Sequence, residues 1–244
     1  MRIQLISEND AIVLTDNRLD NRAHAWITLN GIDGLFGTPK PRETGIPIPQ
    51  QDGSYWPSRL TGESRTVTIK CAMARFSTVA AAQFRDRICA FAYRPVTLLV
   101  EDTLGARTLT GWLADDPAPS MLLSLRAFTF TLIIYCPDPL KYGQPVTYTA
   151  SGGVIRCQNP GTAATWPNVR ISGHATSLTL AYAGHRVQWR GDAQDLALDF
   201  RDMIPSAGIV TYDDAFQIPS GGATVSAVAV GGGAVSMIVR PAWR

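Results

Sequence analysis

Apolar and polar residues alternate along most of this chain, and a helical period replaces the alternation in one place. Short runs at Arg2–Ile6, Ala11–Leu14 and His24–Leu29 predict strands, with turn chemistry at Asn30-Gly31 and Asp33-Gly34. Arg65–Cys71 alternates cleanly, placing Val67, Ile69 and Cys71 on one face. The helix follows, over about 77–92. Ser77 is its N-cap, and Ala81, Phe84, Ile88 and Phe91 form one apolar stripe, with Arg85, Asp86 and Arg87 opposite. That stripe suits a helix plugging a barrel or sheet, and Pro95 ends it.

A hairpin is predicted next, Val96–Glu101 with Arg107–Leu113, then a turn at Asp115–Pro119 and a long strand Met121–Tyr135. That strand stops at Cys136-Pro-Asp-Pro-Leu-Lys-Tyr-Gly143. Pro137 and Pro139 cannot donate to a ladder and each restricts its predecessor, so this reads as a domain boundary. Beyond it come short strands only: Val146–Ala150, Val154–Gln158, Asn168–Ser172, Ser177–Tyr182, Arg186–Arg190, Leu196–Phe200, Gly208–Tyr212, Thr224–Val230 and Val235–Arg240. Many short strands with turns between them predict a β-sandwich of jelly-roll or lectin type. Two domains follow, 1–140 and 141–244.

Periodicity fails over 37–62, a segment holding Pro39, Pro41, Pro47, Pro49, Pro57, Tyr55 and Trp56. Irregular stretches of this length are uncommon within a domain. Proline stiffening and paired aromatics predict an arm that packs on something else.

Composition adds limits. In 244 residues the apolar share is 45%, enough for real cores, and 21 Gly with 16 Pro fit many tight turns. A net charge of +2 gives no bulk signal for nucleic acid, membrane or an acidic partner. The longest apolar runs are strand-sized, and Glu8 and Asp10 interrupt any signal-peptide core, so folding in a cytoplasm without membrane insertion is expected. Cys71, Cys89, Cys136 and Cys157 form no Cys-x-x-Cys pair and are expected to be free and buried. With His24, His174 and His185 scattered, no zinc pattern arises, and no cofactor is expected.

Catalytic motifs are sparse. The pairs Asp115-Asp116, Asp199/Asp202 and Asp213-Asp214 fall at turns, where aspartate caps backbone amides. Gly-x-Ser-x-Gly, Ser-x-x-Lys and phosphate-loop patterns are missing, and the Ser-Gly-Gly runs suit hairpins. No enzyme is expected. Tyr182, Trp166 and Trp189 raise a sugar-stacking reading. Trp189, alternating with Val187, is better placed in the core, which leaves Trp166 as the carbohydrate candidate.

Several segments together resemble the distal tail protein family of long, non-contractile-tailed bacteriophages. They are His24–Gly34, the arm with Ile48-Pro-Gln-Gln-Asp-Gly-Ser-Tyr-Trp-Pro57, Cys136–Gly143, Asn159-Pro-Gly-Thr-Ala-Ala-Thr-Trp-Pro-Asn-Val-Arg-Ile-Ser-Gly173, and Ile218-Pro-Ser-Gly-Gly222. Their order and spacing cover nearly the whole chain. The resemblance implies a mainly β protein: an N-terminal split-barrel-like, ring-forming domain with one helix, and a C-terminal galectin-like β-sandwich.

It also implies a structural protein of the siphovirus tail tip or baseplate, a hexameric ring at the distal end of the virion tail. The ring would join the tail tube to the host-recognition tip and let DNA pass, with no sequence-specific nucleic-acid binding. Its expected partners are further copies of itself, the tail tube protein, the tape measure protein and the tail-associated tip protein. The alternative is a carbohydrate-binding β-sandwich module in host attachment. On the ring reading, Arg42, Tyr55, Trp56 and Arg59 contribute to subunit contacts. Pro137, Asp138, Pro139, Tyr142 and Gly143 form the inter-domain hinge.

Overall fold

In the computed structural model, which describes residues 1–43, 45–58, 60–75, 77–122 and 125–244, the chain divides between Lys141 and Tyr142. One unit is Met1–Lys141 with Arg244, the other Tyr142–Trp243.

The first unit contains, in order, β1 (Arg2–Ile6), β2 (Ala11–Thr15), β3 (Ala25–Asp33), β4 (Ile46–Pro47), β5 (Ser54–Tyr55), β6 (Arg65–Ala74), α1 (Thr78–Cys89), β7 (Val96–Asp102), β8 (Gly105–Leu113), β9 (Ser120–Met121) and β10 (Ala127–Cys136). The order β8-β7-β1-β2-β3-β6-β10 closes into a barrel because β10 returns to β8 through Ile134↔Leu113 and Tyr135↔Trp112. Closure removes the exposed edges that a sheet otherwise presents. It also needs close approach: a Cβ on Gly111 would lie 2.0 Å from the Tyr135 carbonyl oxygen. Only a residue without a side chain fits there.

Alternation explains the wall. Strands β6 and β10 pair over their full length, from Ala127↔Ala74 to Cys136↔Arg65, and bury Val67, Ile69, Phe128, Phe130, Leu132 and Ile134. Helix α1 seals the same core with Ala81, Phe84 and Ile88. Its cap is as expected, the Ser77 side chain accepting from the Val79 amide. Phe84 packs among Phe128, Phe130 and the His24 ring. Each such buried aromatic contributes about 2–3 kcal/mol of transfer free energy.

Three expectations are corrected here. The helix stops at Cys89, well before Pro95, and Tyr93 adopts a positive φ of 62°. Phe91 is buried from the turn beyond the helix. Cys89, expected to be buried, is exposed, because the stripe of α1 passes through Phe84 and Ile88 and turns the neighbouring position outward. The expected strand Met121–Tyr135 is instead a hairpin, with β9 folding back on β10 through Phe128↔Met121.

Strand β11 (Lys141–Tyr142) spans the boundary. The second unit continues with β12 (Val146–Thr149), β13 (Val154–Cys157), β14 (Asn168–Tyr182), β15 (His185–Asp199), β16 (Ile209–Asp213), β17 (Ala223–Val230), β18 (Ala234–Val239) and β19 (Ala242–Trp243). Where the sequence suggested four short strands between 168 and 200, two long ones occur. Register shifts between Ile171 and His174, and between Ala175 and Ser177, break the alternation without ending the strand.

The first half of β14 pairs with β18, the second half with β17. The β14–β15 hairpin therefore serves two sheet halves, a barrel-like sandwich. Its core gathers Trp189, Phe200, Phe216, Leu178 and Val225. Trp189 is fully buried and donates from Nε1 to the Ala207 carbonyl at 2.7 Å.

Candidate functional site: the arm and its buried anchor

The segment expected to be irregular is a hairpin arm on the first unit. At its base Pro41 bridges Gly62, the Arg42 amide donates to the Thr61 carbonyl at 2.9 Å, and the Glu63 amide donates to the Lys40 carbonyl at 2.9 Å. At its tip β4 pairs with β5 through Ile46↔Tyr55 and Pro47↔Ser54. The prolines hid this pairing, since they remove the donors that a longer ladder would show.

The arm keeps its apolar side chains in solvent. Trp56 is 86% exposed, and Ile46, Tyr55 and Leu60 are exposed too. Arg42 is exposed, and Arg59 lies outside the described residues. The arm therefore carries Arg42, Tyr55 and Trp56 on one hairpin with nothing in the first unit's core covering them. Beside its base lies a groove of about 370 Å³, lined by Pro39, Pro41, Leu60, Pro139 and Leu140 among others.

Sequence reasoning missed the residue that holds the arm. Arg65, only 2% exposed, donates from Nη1 to the carbonyls of Gly34 (2.6 Å), Leu35 (3.2 Å) and Gly37 (2.8 Å), and from Nε to Pro139 (2.8 Å). Lys141 Nζ donates to the same Leu35 carbonyl at 3.2 Å. Burial pushes both cations below their usual pKa ranges, and for Lys141 the nearby Arg65 and Arg107 charges act the same way. Carbonyl oxygens thus take the place of a carboxylate. The signal was available: alternation puts Arg65 on the inward face with Val67 and Ile69.

The boundary residues sort by unit. In the first, the Asp138 carboxylate accepts from the Leu140 amide at 3.1 Å, a local turn between Pro137 and Pro139. Cys136, beside Arg65, has its thiol pushed up to about 11 by burial, with the guanidinium acting in the opposite direction. In the second unit the Gly143 amide donates to the Pro241 carbonyl at 2.8 Å, and Arg240 lies over the Tyr142 ring at 5.0 Å.

The remaining candidates fall elsewhere. Trp166 is half-buried, packed against the second core. The aspartates at turns cap backbone amides: Asp115 to Asp116, Asp116 to Ala118, Asp199 to Arg201 and Asp213 to Ala215. Among the described residues no group of His, Cys, Asp and Glu has metal-binding geometry, and no helix is long and apolar enough to cross a membrane. All four cysteines are free.

Neither a family model nor a curated protein matches this chain. Solved structures do. The chain superposes on the Dit protein of phage SPP1, described as a paradigm of the hub adsorption apparatus in phages infecting Gram-positive hosts. The TM-score is 0.72 at 16% identity, covering 99% of both chains. A component of the phage p2 baseplate in its activated conformation matches with a TM-score of 0.53 at 8% identity, over 98% of this chain and 97% of that one. The chain has the fold of phage tail hub proteins.

Proposed function

We propose that this chain is a structural protein of the distal end of a phage tail, forming a ring that joins the tail tube to the host-recognition tip. The observation that carries the reading is the end-to-end likeness to a tail hub protein, which takes in both units. The arm supports it from the physical side. A monomer gains nothing from a Trp and a Tyr held in solvent on a proline-stiffened hairpin, whereas a neighbouring subunit gains preordered aromatic contacts.

In this reading six copies close a ring through the first unit, each arm lying on the next subunit, and DNA leaves through the channel. The chain works as a connector and not as an enzyme. Its neighbours are the tail tube, tape measure and tail-associated tip proteins, and its place is the virion, after assembly in the bacterial cytoplasm. The galectin-like name for the second unit belongs to this reading as well. Electron microscopy of the purified full chain tests it: annular particles with an open centre are expected, and isolated monomers at every concentration would refute it.

A further inference from the structure

One face of the second unit has a composition that its own fold does not require. Strands β13, β17, β14, β15 and β16 are neighbours, and their registers fix which side chains share the outer surface. Val228, Thr179, Gln188 and Tyr212 form one cross-strand row. Val230, Ser177, Arg190 and Ile209 form the next. Val228, Val230, Ile209 and Tyr212 are all exposed, so the rows are water-facing and apolar at both ends.

Across the paired rows the charge has one sign. Arg156, Arg186 and Arg190 are exposed there, while no outward position of 154–157, 177–182, 185–190, 209–212 or 223–230 carries Asp, Glu or Lys. The exposed Asp192 of β15 lies beyond Arg190, and Asp213 of β16 stands opposite the buried Val187 and accepts from the Ala215 amide. The Arg186 guanidinium carbon lies over the Tyr212 ring, 4.6 Å from its centre. The nearest carboxylates stand at the margins and are engaged there, Asp214 with His185 at 3.0 Å and Asp192 with His174 at 2.7 Å. A groove of about 520 Å³ crosses the Arg186 end between Tyr212 and Ser226.

We infer that this sheet face is a docking surface for a second, acidic protein, one presenting Asp and Glu beside apolar side chains. Arg and Tyr with exposed aliphatics, and no Lys, is the composition of a protein interface and not of a solvated sheet face. A second copy of this chain would set arginine against arginine if it docked face to face. A phosphate or carboxylate polymer would satisfy the arginines but leave Val228, Val230 and Ile209 in water. The acidic, partly apolar partner satisfies both halves. The inference is independent of the arm, since every residue in it belongs to the second unit.

The test is fluorescence anisotropy of a labelled peptide that alternates Glu with Val and Leu, titrated with the full-length protein at low salt. Binding is expected, and changing Arg156 and Arg190 together to Glu weakens it by about tenfold or more. Val228→Ser with Val230→Ser weakens it as well, and the thermal midpoint of both variants stays at the parental value because these side chains are exposed. The double Arg→Gln variant, which adds no negative charge, gives an intermediate loss. No binding at roughly millimolar protein, or binding indifferent to the arginines, overturns the inference. Polyphosphate binding that needs the arginines but ignores both valines overturns it in favour of a polyanion. A dimer abolished by Arg190→Glu overturns it in favour of a second copy.

Discussion

Arg65 Nη1 donates to the Gly37 carbonyl at 2.8 Å, which ties the inner wall of the barrel to the residue where the arm begins. The same side chain binds the Pro139 carbonyl, so two irregular segments share one buried cation. Replacing Arg65 by Met takes a donor from the half-buried Gly34 and Pro139 carbonyls and from the exposed Gly37 carbonyl, the Leu35 carbonyl keeping Lys141, while relieving the desolvation of the charge. The deficit wins, since each orphaned acceptor costs about 1–3 kcal/mol. Arg65→Met should lower unfolding stability by roughly 3 kcal/mol or more in urea denaturation. Arg65→Lys, a single point donor on a flexible stem, should recover only part of it.

Barrel closure makes a second prediction. A methyl at position 111 collides with the Tyr135 carbonyl and pushes β8 away from β10. Gly111→Ala should destabilise by about 1–3 kcal/mol or more, the range of an overpacked core site. Amide exchange at Trp112 and Tyr135, whose rings meet across the seam with centroids 5.0 Å apart and a tilt of 45°, should accelerate first.

His24 carries a pH dependence. Its Nδ1 accepts from the Val13 amide at 3.0 Å, which requires a neutral ring, and the ring stacks on Phe84. Burial holds its pKa below the ordinary 6.5, helped by the Arg87 and Arg75 charges and opposed by Asp10. The unfolded chain thus binds a proton before the folded one does. The contribution to stability is complete above pH 6.5 and is lost as the pH falls through the lowered folded value. Stability measured by denaturant titration should fall across that window. His24→Gln should flatten the profile there, leaving the lower limb of Asp10, whose carboxyl Arg87 holds below its usual range.

Much of this fold was legible because alternation is a local signal. β6, β7, β8 and the Ser77 cap follow from it directly. What stayed hidden depends on partners distant in sequence. The continuity of β14 through its bulges is set by β15, β17 and β18, and no run within Asn168–Tyr182 reveals it. The paired arm was masked by prolines, and Arg65 was passed over because arginine at a strand start reads as a polar terminus. Of the proposed contact residues, Arg42, Tyr55 and Trp56 share the arm. Trp166 belongs to the margin of the second core.

Arm chemistry separates folding from assembly. Tyr55 and Trp56 are exposed in the single chain, so Tyr55→Ala with Trp56→Ala should change its unfolding stability by no more than about 0.5 kcal/mol. If the arm lies on a neighbour, the same pair loses buried aromatic contact there and weakens association by roughly 2 kcal/mol or more per contact. Parallel denaturation and sedimentation experiments on one protein preparation distinguish the two effects.

The most direct measurement is the solution mass of the purified full chain and of the Trp56→Ala variant, by light scattering across a range of concentrations. The ring account predicts a species of six chains for the parent, and smaller species at matched concentration for the variant. A parent that remains a single chain at the highest concentration, or a variant whose oligomer is unchanged, would contradict it.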